Sequence, residues 1–140
     1  MSKVAVVFWS ATGNTAAMAD AVAEGARGNG AEVTVLGASG FSGVNVSEYD
    51  AIAFGCPAMG AEVLEEEEFE PMFASVESFL GGKKIGIFGS YGWGDGQWMR
   101  DWKDRCVSAG ASLVNDGVMA NYAPDETAIE ECKDLGRALA

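Results

Sequence analysis

The sequence predicts an α/β fold, a parallel sheet covered by helices on both faces. Three observations carry this. The apolar runs at residues 4–8, 51–55 and 85–89 are short and uninterrupted, as in strands buried on both faces. Segments with apolar residues at helical spacing separate them, so strands and helices alternate along the chain. The 140 residues are 49% hydrophobic, which suits one domain with a multilayer core.

Residues 4–8 form the first strand. Residues 14–27 form a helix with Met18, Ala21, Val22 and Gly25 on one stripe, stopped by Gly28, Asn29 and Gly30. The Val-rich residues 32–36 form the second strand. Residues 37–47 are a Gly/Ser-rich connection in which Ser47 is expected to cap a short turn. Residues 51–55 form the third strand, and 56–61 a loop. An acidic stretch then leads into a helix whose apolar stripe is Phe69, Met72, Phe73, Val76, Phe79 and Leu80, with Pro71 opening its regular part and Gly81 and Gly82 ending it. Residues 84–89 form the fourth strand and 90–96 a loop. A helix over 97–109 stops at Gly110. The fifth strand, 111–115, resumes after an irregular stretch through 118–120. Pro124, Asp125 and Glu126 open a last helix with Ile129, Cys132, Leu135 and Leu139 inward. Parallel sheets bind ligands beyond the carboxyl ends of their strands, where the loops after strands one, three and four all lie.

The net charge is −12, from 21 acids and 9 bases, which argues against nucleic acid and anionic membrane surfaces as partners. No Lys or Arg occurs from residue 28 to residue 82, a span that holds Glu62, Glu65, Glu66, Glu67, Glu68, Glu70 and Glu77. A concentrated negative field on one face follows. For Glu65 to Glu68, a solvated first helical turn favoured by the helix dipole is the other reading. No apolar run is long enough for a bilayer and no signal-like segment opens the chain, so a cytoplasmic location is expected. The chain has no His, and Cys56, Cys106 and Cys132 show no C-x-x-C spacing. Zinc sites and His-dependent nucleophiles are thereby excluded, and the thiols are expected to be reduced. Cys56, between Gly55 and Pro57 at a strand end, reads as structural.

The turn Ser10-Ala11-Thr12-Gly13-Asn14-Thr15 joins the first strand to the first helix. Unpaired backbone N–H groups at a helix start, three hydroxyls and an amide offer neutral donors to an anion. Asn14 follows Gly13 where a Walker loop needs Lys, and a single Gly does not make G-x-G-x-x-G. A terminal monophosphate fits this turn best; a Ser/Thr-rich cap without ligand is the alternative. Cys56-Pro57-Ala58-Met59-Gly60 and Ser90-Tyr91-Gly92-Trp93-Gly94 each carry one large side chain, Met59 or Trp93, amid small residues. A thioether and an indole can wall a flat aromatic ring on its two sides, or else cap the core.

These motifs, S-A-T-G-N-T, G-C-P-A-M-G and F-G-S-Y-G-W-G-D-G, with E-x-E-F-E-P and W-M-x-x-W, resemble the short-chain flavodoxins of anaerobic, clostridial-type bacteria over essentially the whole chain. The resemblance implies a flavodoxin-like three-layer sandwich with a five-stranded parallel sheet in the order 2-1-3-4-5, an order taken from that family. It implies non-covalent FMN, with Ser10, Ala11, Thr12, Gly13, Asn14 and Thr15 around the 5′-phosphate. Pro57, Ala58, Met59, Gly60, Ala61 and Glu62 would bind from the second loop, and Ser90, Tyr91, Gly92, Trp93 and Gly94 from the third. Met59 and Trp93 take opposite faces of the ring, and Glu62 accepts from the flavin N3–H. Backbone groups of Tyr91, Gly92 and Gly94 reach the pyrimidine edge, the Ser90 hydroxyl lies toward the phosphate, and Asn121 and Tyr122 touch the ribityl side. The family's redox-linked peptide rotation falls after Gly60. Ala11 stands where the family usually has Gly, and Ala61 where it often has a polar residue.

The function so implied is a low-potential one-electron carrier, shuttling between semiquinone and hydroquinone, not an enzyme. Its partners would be larger oxidoreductases with basic docking patches, met transiently by a monomer. A flavin-dependent NAD(P)H reductase would need a basic site for the nicotinamide phosphates, which the base-free middle of the chain argues against. A flavodoxin-like activator of a metalloenzyme would have much the same sequence. A signalling domain of this topology would need acids where Trp9, Ser10, Cys56 and Pro57 stand.

Overall fold

A computed structural model of the chain describes residues 2–60 and 62–140. Strands β1 (Lys3–Phe8), β2 (Glu32–Gly37), β3 (Ala51–Gly55), β4 (Lys84–Tyr91), β5 (Ser112–Leu113) and β6 (Val118–Asn121) alternate with helices α1 (Asn14–Gly28), α2 (Phe69–Glu77), α3 (Gln97–Ser108) and α4 (Glu126–Leu139). All pairings are parallel, in the order β2-β1-β3-β4-β5, and β6 also pairs with β4. The expected order 2-1-3-4-5 is therefore present. Among the described residues no helix is long and apolar enough to cross a membrane.

Period-two alternation within apolar strands divides the core. Ala5, Val7, Ile52, Phe54, Ile85 and Ile87 face α2 and α3, where Phe69, Phe73, Trp98 and Trp102 pack. Val4, Val6, Ala51, Ala53 and Phe88 face α1 and α4. Both faces are covered, which is why these strands lack polar positions.

The two helices on the second face approach closely because each presents a glycine to the other. A Cβ at Gly25 would overlap the Lys133 carbonyl, and one at Gly136 would overlap the Val22 carbonyl. Gly25 thus belongs to the inward stripe of α1 because of the backbone it admits.

Three local expectations are corrected, and the interrupted fifth strand is present as expected. Phe79 is not part of the inward stripe: α2 ends at Glu77, the helical period is lost, and Phe79 is 55% exposed, lying over Gly43. The short turn over Gly43–Glu48 is held at Ser42, not Ser47, since the Asn45 side-chain oxygen accepts from the Ser42 N–H (3.0 Å) and hydroxyl (3.2 Å). Strand β4 runs on to Tyr91, because β6 pairs Ser90 with Ala120 and Tyr91 with Asn121. The fifth strand position is shared by β5 and β6. Between them the Asn115 side-chain oxygen accepts from the N–H of Gly117, which has φ +101°, and this Asx-type turn takes up surplus chain.

The α1–α4 contact makes a stability prediction. Gly25→Ala gains about 1 kcal/mol of helix propensity, yet a methyl against backbone cannot be relieved by a rotamer change. Net destabilisation of about 1–3 kcal/mol is expected, read as a lower urea midpoint at unchanged slope.

Candidate functional site

The first loop begins before the strand pairing ends. The Trp9 N–H still donates to the Gly55 carbonyl (3.0 Å), so the chain leaves the sheet at Ser10. The Ser10 hydroxyl oxygen accepts from the N–H groups of Gly13 (3.2 Å) and Ala16 (3.3 Å). Gly13, at φ +95°, turns the chain into α1. The buried Thr15 hydroxyl lies 3.2 Å from the Ser90 hydroxyl and accepts from the Ser90 N–H at 3.4 Å, tying the start of α1 to the end of β4.

The second loop is carried by β4. The Cys56 N–H donates to the Phe88 carbonyl (3.1 Å) and the Ala58 N–H to the Ser90 carbonyl (3.0 Å). The Trp98 indole N–H donates to the Cys56 carbonyl (3.2 Å). The Glu62 N–H donates to the Met59 carbonyl (2.7 Å), closing a turn that includes Gly60; Ala61 lies outside the described residues. The third loop is held from β6. The Asn121 amide donates to the carbonyls of Tyr91 (3.2 Å) and Gly92 (3.0 Å), and the Tyr122 N–H to that of Tyr91 (2.7 Å).

The three loops enclose an open cavity of about 220 Å³ at the carboxyl ends of the strands. Ser10, Ala11, Thr12, Asn14 and Thr15 line it from the first loop, Pro57, Ala58 and Met59 from the second, and Ser90, Tyr91 and Gly92 from the third. Gly13, Gly60, Glu62, Trp93 and Gly94 do not line it. Glu62 and Gly94 meet each other instead: at Gly94, φ +93°, a Cβ would overlap the Glu62 carboxylate. Glu62 itself adopts φ +53°, and its Oε1 is buried with no hydrogen-bond partner among the described residues. Trp93 follows Gly92 in the chain and is 66% exposed. Asn121 does not line the cavity; its amide holds the third loop. Tyr122 does line it, as does Trp9, which the motifs did not single out. The available signal for Trp9 was its place one residue before the anion turn.

The acidic stretch is only partly a solvated run. Glu65 turns inward, and its carboxylate accepts from the N–H groups of Glu67 (2.7 Å), Glu68 (2.7 Å) and Phe69 (2.8 Å). Burial opposes its ionisation, but the three backbone donors outweigh burial and hold the carboxyl below its ordinary range. Arg105, from α3, forks onto Glu70 (2.7 and 2.6 Å), reaches Glu77 (2.6 Å) and lies over the Phe73 ring. Its hydrogen bonds to Glu70 and then to Glu77 raise its pKa. Glu66 and Glu67 remain exposed. Burial pushes the Cys56 thiol up to about 12, so it is neutral and unreactive at pH 7. The three cysteines are buried and unpaired.

These residues fit FMN. The cavity offers hydroxyls and the start of α1 to a phosphate, without any cation in its lining. Three residues past Met59, against Gly94 of the third loop, Glu62 holds a buried carboxylate oxygen that lacks a donor. The flavodoxin family model matches residues 6–136. The chain belongs to the flavodoxin family. It is 43% identical over 137 residues to the flavodoxin of Megasphaera elsdenii, covering 98% of each chain. It is 42% identical over 138 residues to that of Clostridium beijerinckii, covering 96% of this chain and 97% of that one. The solution structure of two-electron reduced Megasphaera elsdenii flavodoxin superposes with a TM-score of 0.90, covering 97% of each chain. As a member of this family the chain is an FMN-binding electron carrier and not an enzyme. The reductase and activator readings are not favoured.

Glu65 makes a pH-dependent prediction. Glu65→Ala removes the acceptor from three backbone donors and is expected to cost about 1–2 kcal/mol at pH 7. Because the folded carboxyl titrates below the unfolded value of about 4.3, its contribution is complete above that pH and is lost as pH falls through the folded value. Urea melts of the two proteins should therefore differ most at neutral pH and converge in acid.

Proposed function

We propose that the cavity and its rim bind FMN with the 5′-phosphate at the first loop and the ring between Met59 and Trp93, and that the chain works as a low-potential one-electron carrier. The observation that carries this reading is Glu62 Oε1, a buried carboxylate oxygen without a partner, pressed against Gly94 of the third loop. Bound FMN supplies the capacity to take up and release electrons singly. The residues supply the rest. Ser10, Thr12, Asn14 and Thr15 offer neutral donors, and the N–H groups opening α1, with Gly13 at its cap, add the positive end of the dipole. Ala11 contributes backbone only. Pro57, Ala58 and Gly60 keep the second loop slim enough for backbone to approach a flat ring, and Ala61 belongs to the same set. The Ser90 hydroxyl supports Thr15 from behind. Backbone groups of Tyr91, Gly92 and Gly94 meet the polar edge of the ring, and Glu62 accepts its N–H.

The low potential follows from charge. Glu62 at the ring edge and the exposed Glu66 and Glu67 oppose a second negative charge on the ring. No base occurs between residues 28 and 82 to offset them, and Arg105 is committed to Glu70 and Glu77. The same exposed acids fit transient docking to basic patches on larger oxidoreductases, which speeds encounter at low salt. We read the chain as one domain, a monomer and cytoplasmic.

An anaerobic redox titration followed by the visible spectrum tests this reading. Two resolved one-electron steps are expected, and a single two-electron step would sink it. Glu62→Gln keeps an acceptor and removes one charge. It should raise the second potential by about 40–140 mV, as expected for a charge at ~5 Å worth roughly 0.8–3.3 kcal/mol. Added salt should narrow the difference from wild type.

A further inference from the structure

Trp9 lines the cavity, and its orientation is fixed from two sides. Its backbone N–H is tied to Gly55 at the end of the β1–β3 ladder (3.0 Å). Its indole N–H donates to Glu68 Oε2 at 2.8 Å, across 59 residues of chain. Glu68 in turn is held at its backbone, where its N–H donates to the Glu65 carboxylate at 2.7 Å. The Glu65 N–H then reaches the Cys56 thiol sulfur at 3.4 Å, at the root of the second loop. A continuous series of hydrogen bonds thus runs from the capped start of α2 to a wall of the cavity.

An indole next to the anion turn has two ways to settle. With its N–H unpaired it could rotate into the cavity or out to solvent, since Trp9 is only half-buried. A carboxylate acceptor selects one orientation, and hydrogen bonds to charged acceptors are about twice as strong as neutral ones. The acid at position 68 therefore does something that Glu66 and Glu67 do not. All three have exposed side chains, but of the three only Glu68 accepts from the Trp9 indole.

We infer that Trp9 is a wall of the FMN cavity and that Glu68 is the positioning residue that holds its indole in place. This deepens the reading given under Proposed function and rests on it. The role assigned to Glu68 is orientation, distinct from the electrostatic role of its neighbours, and it needs an acceptor more than it needs a charge.

The experiment compares wild type, Glu68→Ala, Glu68→Gln, Trp9→Phe and the double variant Trp9→Phe/Glu68→Ala. Glu68 is exposed, so each Glu68 variant should fold, which circular dichroism checks. In the apo chain, the ¹⁵N-indole resonance that disappears in Trp9→Phe reports Trp9 directly. It should shift upfield and exchange faster with solvent in Glu68→Ala, and return toward its wild-type position in Glu68→Gln. In titrations with FMN, Glu68→Ala should weaken binding about tenfold, the size of one lost hydrogen bond to a charged acceptor, and Glu68→Gln should recover most of that loss. In the Trp9→Phe background, Glu68→Ala should add no more than about twofold, because its target is already gone. An equal loss in both backgrounds overturns the inference, as does an indole that moves while affinity stays at the wild-type value. Failure of wild type itself to take up FMN overturns the reading of the site; uptake by wild type and Glu68→Ala alike overturns this inference alone.

Discussion

Everything at the functional edge depends on parallel pairing that outlasts the strands. The bonds from Trp9 to Gly55, Cys56 to Phe88 and Ala58 to Ser90 extend the β1–β3–β4 ladder past its last regular residues. A loop that leaves a sheet at once is free to wander. These loops leave late, already aligned with one another. Asn121 does the same for the third loop from the side of β6, through its side-chain amide. The cavity is therefore a product of sheet registration, lined by small residues with Trp9, Met59, Tyr91 and Tyr122 among them.

Charge in this molecule is spent in two ways. Glu65, Glu68, Glu70 and Glu77 are engaged: with backbone donors, an indole and Arg105 respectively. Each trades part of its field for a fixed geometry. Glu62, Glu66 and Glu67 keep theirs. A run that reads as uniform in one dimension thus separates into acids with a fixed partner and acids without one. The absence of bases from residues 28 to 82 is what makes Arg105, arriving from a distant helix, so consequential.

Much of this was legible in the sequence. Uninterrupted apolar runs reported the buried strands, because nothing polar can face either helix layer, and glycines marked the helix ends. The turn from Ser10 to Thr15 could be read as the joint between first strand and first helix, since Ser and Thr favour helix starts, where the Ser10 hydroxyl oxygen accepts from two N–H groups. What was not legible depended on long-range partners. Phe79 fits the helical stripe by spacing, but α2 stops two residues earlier and the ring covers Gly43. The end of β4 could not be found without β6, whose pairing turns a loop into strand at Ser90 and Tyr91. Trp9 falls between the first strand and the Ser10–Thr15 turn and belongs to neither motif; the carboxylate from residue 68 gives its side chain a defined direction. Trp93 was set opposite Met59 by family likeness, and in the structure its indole stands mostly exposed beyond the cavity lining.

The glycine contacts between α1 and α4 have a mechanical consequence. Where two helices meet backbone to backbone, no side chain can yield by changing rotamer, so neither rod can slide or roll without moving the other. Val22, Gly25 and Ala26 lie in the last turns of α1, so the clamp holds the end of the helix remote from the first loop against α4.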